Sequence, residues 1–400
     1  MGTEESKDEP IELRPGGPTV DFDHTSTSVH PTDLESIFKV LEEDITTFVK
    51  DELKRMKNIL CPEGSERLKE TAGEKEQNKS NREAFLNIVL NFLRRRKQED
   101  LANSLQNKLH EMICRQKLKT NLTRRFRCLL EGNSREKKPN FVNQIYTELH
   151  ITKHGTEGVN SQPEVQQIEA ASWKPAGSET IIKCEDIFIP GKDEPVRTLM
   201  TKGVSGIGKT VFTQKYILDW AEDKTYHNIH FIFPFTFREL NLLKDKTYSL
   251  VGLIHYFFTE IKEAGMVNFE ECHVMFIFDG LDECRPPLDF HSTQILTNIT
   301  EPASVHALIT NLIRGKLLPS ASLWITTRPA AANQIPPEYI DMVTEVRGFT
   351  DSQKEEYFKR KFRKEEQASR IISHIRTSRS LHIMCRIPIF CWITATVLRS

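Results

Sequence analysis

Two clusters of residues in this chain have the types and spacing to handle a phosphorylated ligand together with a divalent cation. The first is Gly203-Val204-Ser205-Gly206-Ile207-Gly208-Lys209-Thr210, which fits G-x-x-x-x-G-K-[ST]. Glycines at these spacings let the backbone curl with its N–H groups turned inward, around a group carrying several negative charges. Lys209 then reaches the β- and γ-phosphates, and the Thr210 hydroxyl is a ligand for Mg²⁺. The second cluster is Val274-Met275-Phe276-Ile277-Phe278-Asp279-Gly280-Leu281-Asp282-Glu283. Five apolar residues ending in a carboxylate suit a buried parallel strand that delivers Asp279 at its C-terminal end, where open α/β sheets bind ligands. Asp279 is the second candidate metal ligand. Asp282 or Glu283 could polarise an attacking water.

A third run, Leu323-Trp324-Ile325-Thr326-Thr327, ends in Arg328. An Arg at the tip of a strand beside the loop could sense or neutralise a γ-phosphate. It could equally satisfy a loop carbonyl ahead of Pro329. Each motif alone has a bland reading: a glycine turn before a helix, or a core strand with an acidic turn. The two main motifs together argue against both.

These groups need elements to position them. Val196 to Thr201 reads as the strand before the glycine loop, and Val211 to Trp220 as the helix after it, with Phe212, Tyr216, Ile217 and Trp220 on one side. Further strands are expected at Ile229–Phe235, at the Asp279 and Arg328 runs and at Met342–Val346. Helices are expected at Leu250–Ile261 and Val305–Leu312 between them. Strands alternating with helices predict an α/β P-loop NTPase fold around a parallel five-stranded sheet. Glu148–Thr152 looks like one more strand, in a stretch otherwise punctuated by Gly and Pro that could close over the ligand. Helices at Gln353–Lys364, Ala368–Ile375 and Cys391–Leu398 form a C-terminal helical subdomain.

Ahead of all this, residues 1–32 are polar and proline-containing and read as a disordered tail. Residues 33–135 read as a helical N-terminal domain. Apolar positions recur at helical spacing from Leu34 to Met56, from Phe85 to Phe92 and from Leu101 to Leu118. The remaining divisions are 136–196, 197–347 and 348–400. The basic runs Arg94-Arg95-Arg96-Lys97 and Arg124-Arg125-Phe126-Arg127 read first as solvated helix faces.

Composition narrows the function classes. The 400 residues hold 55 basic and 56 acidic side chains, which argues against a dedicated nucleic-acid binder. The longest apolar stretch, from Ile387 to Leu398, is about 12 residues, short of the roughly 20 that span a bilayer. No secretory signal is visible, and the 8 cysteines show no ligand spacing, so reduced thiols in a cytoplasmic protein are expected. An apolar helix at the end of the chain predicts that a longer protein continues beyond Ser400.

Taken together, Gly203–Thr210, Phe278–Glu283, Thr326-Thr327-Arg328-Pro329 and Ile387-Pro388-Ile389-Phe390-Cys391-Trp392 resemble the NACHT module of NOD-like receptors. The stretch from Tyr146 to Pro195 is similar to the fish-specific NACHT-associated segment. The wording from Leu323 to Pro337 is especially similar to the NLRC3-like and NLRP12-like groups of fish. The resemblance implies a STAND/AAA+-like fold and a cytosolic innate-immune switch that binds ATP or ADP with Mg²⁺. It implies self-oligomerisation on activation and a signalling adaptor or effector as partner.

Residue by residue, the resemblance makes Gly203, Val204, Ser205, Gly206, Ile207, Gly208, Lys209, Thr210 and Val211 the nucleotide-binding set. Thr210 and Asp279 become the metal ligands, and Asp282 and Glu283 the extended acidic pair. Arg328 takes a sensor position, and Pro388 packs on adenine. Spacing alone would make Pro388 a helix-start proline. The family's winged-helix, second helical and leucine-rich repeat regions are not seen in this sequence. A static scaffold with permanent ADP and a P-loop ATPase with real flux are the alternatives to the switch.

Overall fold

The structure, a computed structural model, describes residues 42–43, 46–47, 49–51, 53–54, 87–129, 140–154, 164, 166, 187–188, 196–362 and 364–398. The chain divides into two compact units, residues 1–99 and 100–400. In the first unit, the described residues from 42 to 54 are helical, as is the segment 87–95. Both fall where apolar periodicity predicts helices. The expected disordered tail and most of the Gly/Pro-punctuated stretch lie outside the described residues.

The second unit is built on one sheet. Its strands are β1 His150–His154, β2 Thr198–Lys202, β3 Phe231–Thr236, β4 Val274–Asp279, β5 Ser322–Thr327 and β6 Met342–Gly348. They lie in the order β1-β6-β2-β5-β4-β3. The five strands from β2 to β6 run parallel, as the alternating pattern predicts. The sheet has a sixth member that the five-strand expectation left out: β1 pairs antiparallel with β6. Its run was visible as a strand, but it enters without the crossover helix that marks a parallel neighbour.

Strand chemistry fits these places. The central strands are apolar along their whole length because helices cover both faces. Pro234, which cannot donate to a ladder, sits in β3 at the sheet edge. Buried hydroxyls in the middle of the sheet are paired. Thr201 Oγ1 and Thr344 Oγ1 are 2.9 Å apart, and the Trp324 indole N–H donates to Thr201 Oγ1 at 2.8 Å.

The helices of this unit are α1 Glu99–Phe126, α2 Lys209–Ala221, α3 Leu250–Phe257, α4 Val305–Ile313, α5 Asp351–Lys361, α6 Glu365–Thr377, α7 Arg379–Met384 and α8 Pro388–Val397. Helix α2 follows the glycine loop and is clamped to the sheet by aromatics. The Trp324 ring meets Phe212 and Tyr216 edge-on, each at 5.1 Å.

Helix α1 runs 28 residues, well past Leu118 where the apolar pattern fades. Polar contacts carry its last turns. Lys119 Nζ lies 2.5 Å from Asp223 and 4.6 Å from the Trp220 ring, and Asn121 donates to both oxygens of Glu260 at 2.9 Å. The single helix expected over Leu250–Ile261 breaks at Phe258, whose φ of −123° and ψ of 83° leave the helical region. Helix α7, which buries no residue, carries no apolar period and was not expected. No helix among the described residues is long and apolar enough to cross a membrane.

Candidate functional site

The glycine loop joins β2 to α2, as the motif requires. Gly208 caps α2 with φ 105° and offers no side chain, so the first-turn N–H groups of α2 meet no side-chain cap. Lys209 Nζ donates to Gly203 O at 2.7 Å and to Val204 O at 3.2 Å. Burial pushes its pKa below the ordinary lysine value, while Asp282 and Asp279 pull it back up. A cation held in low dielectric beside a ring of backbone groups is suited to phosphate.

Asp279 stands at the tip of β4 with both carboxylate oxygens engaged. Thr210 Oγ1 donates to Oδ2 at 2.7 Å, and Thr326 Oγ1 donates to Oδ1 at 2.5 Å. The Thr326 oxygen in turn accepts the Gly280 N–H at 3.0 Å. The two expected metal ligands, Thr210 and Asp279, are therefore in direct contact. Thr326, which sequence reasoning did not single out, orients the carboxylate. Its signal was its place in β5, two residues before Arg328.

Arg328 is brought to the same end of the sheet, but its guanidinium is held by Asp282. Arg328 Nε lies 2.9 Å from Asp282 Oδ2, and the Arg328 N–H donates to Oδ1 at 3.3 Å. Glu283 is exposed, and its backbone carbonyl accepts from Asn241 at 2.7 Å. One more carboxylate reaches the loop from the segment before β2: Glu164 Oε2 accepts the Ser205 N–H at 3.2 Å.

The helical subdomain lies on the loop. The Ile389 N–H donates to Gly206 O at 3.3 Å. Gly206 has φ +73°, and a Cβ there would come within 2.5 Å of Ile389 Cγ2, so only glycine permits this approach. Pro388, expected near the base, begins α8 and lines the resulting cavity with Trp392 one turn on.

The cavity holds about 610 Å³. Its phosphate end is formed by Gly206, Gly208, Lys209 and Thr210. Phe126, Leu149, Val211 and Phe349 supply much of the apolar wall. Sequence reasoning missed the contributions of Phe126 and of Thr147 to Leu149, which come from the end of α1 and the approach to β1. Two buried side-chain oxygens on the wall, Thr147 Oγ1 and Gln214 Oε1, have no hydrogen-bond partner. A pre-formed concave site with an anion cradle at one end, apolar surface beyond and two orphaned polar atoms fits a nucleoside phosphate. The Thr210–Asp279 oxygen pair fits Mg²⁺.

Residues 197–365 match the NACHT domain, and residues 118–189 match the fish-specific NACHT associated domain. The chain carries a NACHT domain. Its glycine loop, Asp279 and Arg328 all fall inside that match, and Phe126 and Leu149 inside the associated domain. The wall opposite Pro388 is thus built by the associated domain, while α8 lies beyond both matches.

The chain is 34% identical to Protein NLRC3 of Mus musculus over 257 residues, 63% of this chain and 23% of that protein. It is 37% identical to NLR family CARD domain-containing protein 3 of Homo sapiens over 260 residues, 63% of this chain and 23% of that protein. It is 32% identical to NACHT, LRR and PYD domains-containing protein 3 of Homo sapiens over 298 residues, 72% of this chain and 28% of that protein. The chain spans about a quarter of the length of the curated relatives it matches. The pairing of a NACHT domain with its associated domain is typical of NOD-like receptor switch proteins.

Away from the NACHT cavity, Glu111, His230 and Cys272 each bring one potential ligand atom within 4.8 Å of the others. The cluster is already satisfied by protein. His230 Nδ1 accepts the His273 N–H at 3.0 Å, and Lys108 Nζ holds Glu111 Oε2 at 3.1 Å. Burial pushes the Cys272 thiol up to about 12, far from the thiolate a metal binds. The trio therefore reads as a polar contact between α1 and the sheet. Cys114, Cys128, Cys272, Cys284, Cys385 and Cys391 are free thiols, mostly buried, as expected of core fillers.

Proposed function

We propose that this chain is the nucleotide-controlled part of a cytoplasmic innate-immune receptor. ADP favours a closed arrangement of the NACHT domain and the helical subdomain. Exchange for ATP releases that arrangement, permits self-association and passes an inflammatory signal to an adaptor or effector protein. The observation that carries this reading is the contact of the Ile387–Ile389 segment with the glycine loop. A ligand cradled by the loop is touched by the subdomain that would have to move.

Each role follows from position. Gly203 to Thr210, with Val211 beside them, hold the phosphates, and Lys209 neutralises them. Thr210 and Asp279 hold Mg²⁺, which supplies charge neutralisation to the phosphates when bound. Asp282 and Glu283 orient water, Arg328 answers to the γ-phosphate once it leaves Asp282, and Pro388 flanks the adenine. Hydrolysis is slow at most, because α8 must lift before product can leave.

The test is chemical. The purified chain is denatured and the released nucleotide identified by chromatography, alongside Lys209→Ala. About one ADP per wild-type chain, and loss of nucleotide and of ATP-dependent self-association together in Lys209→Ala, is the expected result. Nucleotide retained by the variant would sink the P-loop assignment. Permanent ADP that never exchanges would favour a scaffold, and fast turnover an ordinary ATPase.

A further inference from the structure

The cavity wall holds a polar atom that the phosphate site does not use. Gln214 lies on α2 four residues beyond Thr210 and three beyond Val211, so it shares their face of the helix. It stands about 6 Å further along the axis from the loop. Its Oε1 is buried with no protein partner, on a wall where Phe126, Leu149, Pro388 and Trp392 offer none. A buried acceptor left unpaired costs about 1–3 kcal/mol, so such atoms in a folded protein call for a ligand or a water.

The direction of the chain decides which part of a ligand would meet it. Phosphates belong at the loop and the first turn of α2. A group one turn further on, among aromatic and proline surfaces, meets the planar end of the ligand. An amide oxygen there needs a donor. Adenine presents an exocyclic amine at C6, where guanine presents a carbonyl.

We propose that Gln214 is a specificity-determining residue of the nucleotide site, its amide oxygen accepting a hydrogen bond from the exocyclic amine of adenine. The proposal rests on the nucleotide reading above. It adds the residue that recognises the base edge, whereas the residues of the loop recognise only phosphates.

The test removes the hydrogen bond from each side in turn. Binding of Mg-ADP and of the diphosphate of purine riboside, which lacks the 6-amine, is measured by calorimetry on the full chain. Both wild type and Gln214→Leu are used. Wild type is expected to lose about tenfold on removal of the amine, the scale of one buried hydrogen bond. Gln214→Leu is expected to bind the two ligands within about twofold. Gln214→Glu, which keeps an acceptor and most of the shape, is expected to retain the preference, and it guards against a leucine variant that folds poorly.

An amine penalty that persists unchanged in Gln214→Leu overturns the proposal, as does a wild type indifferent to the amine. A coupling that appears with 2′-deoxy-ADP instead overturns it too, because Gln214 would then be reading the ribose. A wild type that binds neither diphosphate fails the nucleotide reading itself, an outcome distinct from normal ADP binding with additive penalties.

Discussion

The two ends of the cavity are built differently. At the loop end the charged groups are tied to protein: Lys209 to loop carbonyls, Asp279 to Thr210 and Thr326, Arg328 to Asp282. Most of these ties lie within the loop or at neighbouring strand tips of one sheet. At the far end, apolar surfaces from α1, the approach to β1, α2 and α8 meet around two oxygens that protein leaves unpaired. A ligand's phosphates would therefore be held by one local motif. Its remainder would be held by an assembly of distant segments, which can be dismantled without touching the motif.

Gly348 offers the largest break between the two ends. It closes β6 with φ +88°, and a Cβ there would run into the backbone carbonyl of Arg386. That carbonyl accepts the Phe349 N–H at 2.7 Å, which pins the start of the α8 segment to the end of the sheet. Gly348→Ala is expected to cost on the order of 3 kcal/mol in urea unfolding, from positive-φ strain and the displaced segment. Where the variant is still folded by circular dichroism, pyrophosphate should bind within about threefold of wild type. The advantage of ADP over pyrophosphate should fall by roughly tenfold or more. Equal losses for both ligands would show that the two ends form one unit.

The same division explains what the sequence made legible. The loop, the Asp279 strand and the Arg328 strand were readable because each is a contiguous run with a pattern: glycine spacing, an unbroken apolar strand, a charged terminus. The far end has no such run. Phe126 lies at the end of a helix whose apolar period had faded, and it reaches the cavity because Lys119 and Asn121 hold α1 in place through polar contacts. Leu149 was seen as part of a strand, but the antiparallel pairing that brings β1 to the sheet edge is a tertiary choice. Pro388 was placed by resemblance, where spacing alone gave a helix start. Arg328 was legible as a strand-tip cation, and its Asp282 partner was not, because a contact between residues 46 apart leaves no local trace.

At the loop end, the sharper test concerns Thr326. Its hydroxyl donates to Asp279 Oδ1 at 2.5 Å while accepting the Gly280 N–H at 3.0 Å. Thr326→Val keeps the shape and removes both bonds. A hydrogen bond to a charged group is worth about 1.5–3 kcal/mol, so Mg-ATP affinity should fall by roughly tenfold or more. Binding measured in EDTA should stay within about twofold if the residue acts only through the metal ligand. A loss of the same size with and without Mg²⁺ would make Thr326 a support of the fold rather than of Asp279.

The smallest expected effect tests whether the loop end is as self-contained as its internal ties imply. Glu164 comes from outside the loop, and its carboxylate accepts the Ser205 N–H at 3.2 Å. A negative group at that N–H occupies a donor that the loop would otherwise turn toward phosphate. It also adds repulsion that grows with the charge of the ligand. Glu164→Gln keeps the length and removes the charge. Exposed charge pairs are worth about 0.2–1 kcal/mol, so ATP should gain roughly two- to fivefold over ADP in competition binding at low salt. The gain should shrink as ionic strength rises, because an exposed interaction is screened within about 10 Å at 0.1 M. If ATP and ADP shift together, Glu164 only tethers its own segment, and the loop end needs nothing from outside. If ATP alone gains, the segment before β2 tunes which nucleotide the loop prefers, and the boundary between the two ends is regulated by a third.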